Sequence, residues 1–112
     1  MGGITFDSKR EAARYRDLCF LQKAGQIEDL ELQKRFELIP AQYETYPRYG
    51  KKGQRLKDGK KCVEKAVVYV ADFVYYHNGE LVVEDTKGVR TEAYIIKRKL
   101  MRWAHGIEVR EI

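Results

Sequence analysis

The chain has 112 residues, of which 44% are hydrophobic and 35% charged, with a formal net charge of +5. That length suits one modest hydrophobic core, so a single domain over residues 1–112 is expected. No apolar run approaches the roughly 20 residues of a membrane-spanning helix, and the N-terminus has no signal-peptide core, so a cytosolic protein is expected. Cys19 and Cys62 are too few for a disulfide framework and lack metal-ligand spacing, which leaves two reduced thiols, with Cys19 packed in a core.

In chain order, residues 4–24 carry a helix signature. Ser8 followed by Glu11 is a capping box, Phe6 stands just before it, and Gly25 supplies a stop. Ala12, Tyr15, Leu18, Cys19 and Leu21 form its apolar stripe. Residues 27–33 alternate weakly, and residues 35–39 read as a short strand ended by Pro40. Together they predict a hairpin or a bent strand with a polar outer face. A long flexible loop is then expected over residues 42–61. The entire net charge of +5 sits there, as seven basic residues (Arg48, Lys51, Lys52, Arg55, Lys57, Lys60, Lys61) against Glu44 and Asp58. Tyr43, Tyr46 and Tyr49 are interleaved with them, a composition that suits a phosphate backbone and stacked bases.

Residues 63–76 are β-branched and aromatic, which predicts a long central strand, and residues 81–87 predict its partner. Between them Asn78-Gly79 is a strong hairpin signal. Thr91 caps a predicted helix over residues 92–104, with Tyr94, Ile95, Leu100, Met101, Trp103 and Ala104 as its apolar face and Tyr94 and Trp103 in the core. Lys97, Arg98, Lys99 and Arg102 make its other side basic. His105-Gly106 ends it, and residues 107–111 read as a last strand. A helix between the strands at 81–87 and 107–111 implies parallel pairing there. The expected fold class is α/β, a mixed sheet flanked by helices in the order α-β-β-β-α-β.

A two-residue turn at Asn78-Gly79 places Tyr76 opposite Leu81, Val74 opposite Val83, and Asp72 opposite Asp85. Opposed carboxylates on one face repel, and aspartate is a poor strand former, so something must compensate. A divalent cation such as Mg²⁺ would, because it takes carboxylate oxygens together with water and substrate phosphate. The carbonyl of Thr86 could add a ligand. Lys87, on the same face as Asp85, is placed to orient or deprotonate an attacking water, or to neutralise charge on a phosphate. Glu84 points to the opposite face as a surface acid or salt-bridge partner. Glu11 has two readings, a local cap or a third carboxylate at the metal. Gln33 is a polar residue at a strand end near the site.

These residues resemble the PD-(D/E)XK nuclease superfamily, whose motif is an acid followed at variable distance by D/E-x-K. Asp85-Thr86-Lys87 matches the second element, and Ala71-Asp72 stands where many members have Pro-Asp. The element order is similar to the restriction-endonuclease-like core of that superfamily. More narrowly, FDSKREAARYRDL, IEDLELQKRFEL, VADFVY and VEDTKG resemble a small family of phage and prophage proteins similar to Holliday-junction-resolvase-like endonucleases. The resemblance implies Mg²⁺- or Mn²⁺-dependent hydrolysis of DNA phosphodiesters, with Asp72 and Asp85 on the metal, Lys87 on the water and Glu11 assisting. DNA would be held by the seven basic residues of the loop and by Lys97, Arg98 and Arg102. It further implies a cytoplasmic protein in a bacterial host, acting as a homodimer or with a phage replication, recombination or packaging partner. Two other readings stand beside it: a non-catalytic nucleic-acid-binding module, and an accessory phage protein that docks through Tyr43, Tyr46 and Tyr49.

Overall fold

The computed structural model of the protein describes residue 6 and residues 8–112. The parts of the helix signature at residues 4–5 and at Asp7 lie outside the described residues. Helix α1 (Lys9–Lys23) starts at Ser8, whose hydroxyl accepts the Glu11 amide hydrogen at 3.0 Å. It ends where the Gln26 and Gly25 amides donate to the Leu21 and Gln22 carbonyls at 2.9 and 3.0 Å, with Gly25 at φ 78°. This is the left-handed cap that glycine adopts without strain. Strand β1 (Glu28–Ile39) follows, then β2 (Gln42–Tyr49) and β3 (Arg55–Glu64), then β4 (Val67–His77) and β5 (Glu80–Asp85). Helix α2 (Glu92–His105), capped by the Thr91 hydroxyl, leads to β6 (Val109–Glu111).

The fold is α/β, built on a mixed four-stranded sheet in the order β1-β4-β5-β6, with β5 and β6 parallel and the other pairs antiparallel. Apart from β2 and β3, the elements follow the expected order. The helices cover opposite faces. Leu18 of α1 packs with Ile27, Phe73 and Tyr75, and Tyr94 and Met101 of α2 pack with Leu38, Tyr69, Val74, Val83 and Val109.

Those two clusters expose an irregularity. Side chains alternate along a strand, so Tyr69 and Tyr75 should share a face. They do not: Tyr69 faces α2 and Tyr75 faces α1. In β1 the same switch separates Leu32, on the α1 side, from Phe36 and Leu38, on the α2 side. The pairs Leu32↔Phe73 and Lys34↔Ala71 bracket the switch at Gln33 and Asp72. Gln33 has φ 52°, a left-handed conformation that side-chain-bearing residues rarely adopt and one that turns a strand over. The bent strand predicted for residues 27–39 is therefore one continuous strand, kinked at Asp29 and Gln33.

The segment predicted as a flexible basic loop is a β-hairpin arm. Strands β2 and β3 pair only with each other, joined by a Gly50–Gly53 turn in which the Gly53 amide donates to the Gly50 carbonyl at 3.0 Å. Both faces of the arm are solvent-facing, so it lacks the alternation of apolar residues that marks a half-buried strand. The arm continues outward from the β1–β4 ladder beyond Ile39↔Val67. It stretches the molecule to 67 × 29 × 29 Å, with a radius of gyration of 20.3 Å. A compact chain of this length would have a radius near ~13 Å. Two further expectations are corrected. Trp103 is 82% exposed, beside Leu38, Ile39, Pro40 and Leu100 near the base of the arm. Cys19 is only half-buried.

Inside the arm Tyr46 lies flat over Gly59, where an added Cβ would come within 2.2 Å of the ring. Gly59→Ala should displace Tyr46 and loosen the arm, at a local cost of about 1–3 kcal/mol. Amide hydrogen exchange across residues 42–64 should accelerate, while the melting of the four-stranded sheet stays near that of the parent.

Candidate active site

The β4–β5 register runs from His77↔Glu80 to Phe73↔Glu84, and its continuation sets Asp72 against Asp85. Asn78 and Gly79 have φ 51° and 79°, as the two-residue turn requires. Each aspartate is held differently. Asp72 accepts the Thr86 amide and hydroxyl on Oδ2 at 2.9 and 2.7 Å, and the Gln33 amide on Oδ1 at 3.3 Å. Asp85 is 1% exposed; its Oδ2 accepts the Tyr69 hydroxyl at 2.6 Å and stands 3.4 Å from the Lys87 ammonium. Its Oδ1 is buried with no hydrogen-bond partner.

These surroundings drive the two carboxyls apart. Burial, then the facing Asp72, pushes Asp85 up to about 7, although Tyr69 and Lys87 oppose the rise. Burial also works to raise Asp72, but hydrogen bonds from Asp85, Thr86 and Gln33 outweigh it and hold Asp72 below its ordinary range. Asp85 therefore keeps its proton to a higher pH than Asp72, as expected when like charges stand face to face.

Gln33 also ties in Glu11. The same Nε2 that reaches Asp72 lies 3.2 Å from Glu11 Oε1, so one amide touches carboxylates from α1 and β4. The two readings of Glu11 therefore coexist: its backbone completes the Ser8 cap, while its buried carboxylate faces the site. Lys87 lies 4.7 Å from the centroid of the Tyr94 ring, and its carbonyl accepts Arg10 Nη1 at 3.3 Å. Ser8, Arg10, Glu11, Asp72, Thr86 and Lys87 line an open cleft of about 510 Å³.

Among the described residues no three His, Cys, Asp or Glu side chains gather into one metal-binding group. The acids come as the Asp72–Asp85 pair, with Glu11 reached through Gln33. That pair fits a hard divalent cation. The donors are all oxygen, the buried Asp85 Oδ1 is unmatched, and a proton otherwise has to neutralise the repulsion. Thr86 enters through its amide and hydroxyl, which orient Asp72.

Beneath the cleft lies an ion pair that the sequence reading did not assign. Arg14 grips Glu84 with two hydrogen bonds of 2.8 and 2.7 Å, and Tyr75 donates its hydroxyl to the same carboxylate. Glu84 is thus a salt-bridge partner but not a surface acid, being 0% exposed. Arg14 stands one helical turn after Glu11, and Glu84 immediately precedes Asp85. The pair therefore fixes the helix carrying one acid to the strand carrying another. Glu11, Arg14 and Leu18, at i, i+3 and i+7, were the available signal, charges placed on a helix's buried face. Tyr69 and Arg10 were also missed; the strand switch at Gln33 and Asp72 hid the first. Of the residues expected to hold DNA, Arg48, Lys51, Lys52, Arg55, Lys57, Lys60 and Lys61 are all on the arm. On α2, Arg102 is exposed and Lys97 half-buried, while Arg98 pairs with Glu111 at 3.3 Å.

An α/β scaffold that confronts two carboxylates beside a lysine, at an open cleft lined by charges of both signs, defines a protein built around a charged site. The chain belongs to the protein family of unknown function DUF1064, whose model matches residues 1–110. No curated protein and no solved structure matches it.

Removing Arg14 strands the fully buried Glu84 carboxylate. Arg14→Ala should destabilise the fold by about 3–5 kcal/mol, whereas Arg14→Met with Glu84→Leu should recover most of that. Urea denaturation of both variants checks this. A second expectation concerns pH. Asp85 binds its proton more tightly folded than unfolded, so its contribution to stability is fully present below the ordinary carboxylate range near pH ~4. That contribution is lost as pH rises to about 7. Thermal melts in EDTA should therefore decline across this window, and Asp85→Asn should flatten the decline.

Proposed function

We propose that the protein is a metal-dependent DNA endonuclease with a restriction-endonuclease-like core, hydrolysing phosphodiester bonds in the cleft between α1 and the β4–β5 ends. The observation that carries this reading is the Asp72–Asp85 confrontation, with a buried Asp85 Oδ1 that accepts no hydrogen bond and a lysine 3.4 Å from Oδ2. Asp72 and Asp85 would hold a Mg²⁺ or Mn²⁺ ion, which would supply polarisation of the scissile phosphate and a lowered pKa for the attacking water.

The chain's own groups do the rest. Tyr69 fixes the orientation of Asp85, and Thr86 and Gln33 fix that of Asp72. Such hydrogen bonds keep metal-binding carboxylates in one geometry. Glu11 acts through Gln33 on Asp72. Lys87 faces the cleft from the carboxylate side, where it orients the water or balances charge on the phosphate as the bond breaks. Arg10, which lines the same cleft, is placed to bind a phosphate oxygen.

The test is cleavage of single-stranded, duplex, flap and four-way-junction DNA with Mg²⁺, Mn²⁺ or EDTA. Cutting should require the metal, vanish in Asp85→Asn and fall by about 10²-fold or more in Lys87→Ala. DNA that is bound but never cut would replace this reading with that of a non-catalytic binding module.

A further inference from the structure

The arm is the part of the molecule that its own fold leaves uncovered. Its two strands pair only with each other, and a lone two-stranded hairpin is marginally stable in water. Every residue of β2 is exposed, and β3 fully buries only Gly59, beneath Tyr46. Its charge is one-sided, with seven basic residues against Glu44, Asp58 and Glu64 between Gln42 and Glu64. Of those seven, Arg55 alone is ion-paired among the described residues, to Asp58 at 2.7 Å. Lys60 lies over the Tyr43 ring at 4.4 Å and Arg55 over the Tyr49 ring at 5.6 Å, so cations are interleaved with flat rings along the arm.

We propose that the arm is a ribbon that enters the major groove of duplex DNA and holds the duplex across the Asp72–Asp85 cleft. This rests on the phosphodiesterase reading of the cleft and deepens it by naming the substrate class. Two strands about 4.8 Å apart, with their side chains, make a ribbon narrower than the groove, which is about 12 Å wide and admits a two-stranded ribbon. Charge complementarity selects a polyanion as the missing cover, and the unpaired lysines at the tip and along β3 meet the flanking phosphates. β5 runs towards the end of β4 from which the arm springs, so the cleft and the arm's base share one end of the sheet. Eight residues of β2, at about 3.4 Å each, carry the contact along about eight base pairs.

The test is fluorescence anisotropy, in EDTA, with a duplex of roughly three helical turns and its matching single strand. The full chain is compared with Lys51→Ala/Lys52→Ala/Lys57→Ala and with Tyr43→Ala/Tyr49→Ala. The lysine variant alters only solvent-facing side chains, so it remains informative if the tyrosine variant fails to fold. Duplex should bind more tightly than single strand, and the lysine variant should weaken it about tenfold or more with a shallower salt dependence. Guanine N7 atoms should be protected from dimethyl sulfate over about eight base pairs, since N7 lies in the major groove. Unchanged duplex affinity in the lysine variant, a preference for single strand, or fully reactive N7 atoms would overturn the proposal. So would a dimer that the same substitutions dissociate, since the arm would then be covered by a second copy. Duplex bound through the arm but left uncut with Mg²⁺ or Mn²⁺ would remove the nuclease reading and leave the arm's role standing. Cutting that survives the lysine variant with unchanged KM would remove the arm and leave the nuclease.

Discussion

Two carboxylates that face each other from neighbouring strands cannot both be charged unless something positive lies between or beside them. Much of this fold is arranged around that constraint. Tyr69 comes from the α2 face of β4 to reach Asp85, Thr86 turns back at the end of β5 to hold Asp72, and Gln33 bends out of β1 to do the same. Lys87 stands 3.4 Å from Asp85, but its single positive charge cannot neutralise two carboxylates. What remains is a pair of acids whose repulsion favours a proton on Asp85 towards neutral pH.

A second layer explains how the site keeps its shape. Glu84, fully buried next to Asp85, and Arg14, partly buried one turn after Glu11, are joined by two hydrogen bonds. A buried ion pair adds little stability over a well-packed apolar pair, but it is directional, and a slipped alternative would leave both charges unpaired. Here it locks α1 to β5 in the single alignment that brings the acids to one cleft. Tyr75, with its hydroxyl pushed up to about 12 by burial and then by Glu84, stays protonated and completes the lock.

The parts of the fold that were legible in the sequence are those set by local chemistry. Asn78-Gly79 dictated its turn, and the turn dictated the register through Phe73↔Glu84. Ser8, Gly25, Thr91 and Gly106 marked the helix ends because caps depend on adjacent residues. What stayed hidden depends on distant partners. Nothing in Gln33 announces a left-handed backbone, since it is neither glycine nor asparagine, and only the packing of two helices on opposite faces shows why the strand turns over. The arm lacked a periodic signal because neither of its faces meets a core. Trp103 was misplaced because an apolar stripe counted along a helix is wider than the surface the sheet covers. Asp72, Lys87 and Glu11 do line one cleft, with Asp85 buried beside Asp72, whereas the amide that links two of them had no signature of its own.

The kinks in β1 also matter beyond the cleft. β1 is the outermost strand on its side of the sheet, and at twelve residues it is the longest. Straight, long outer strands invite neighbouring molecules to add on, which leads to aggregation. The left-handed residues Asp29 and Gln33 interrupt the row of outward amides and carbonyls, and charged side chains crowd the stretch between them and Glu37. The bend that aims an amide at two acids therefore also makes the border of the sheet a poor template for unwanted polymerisation.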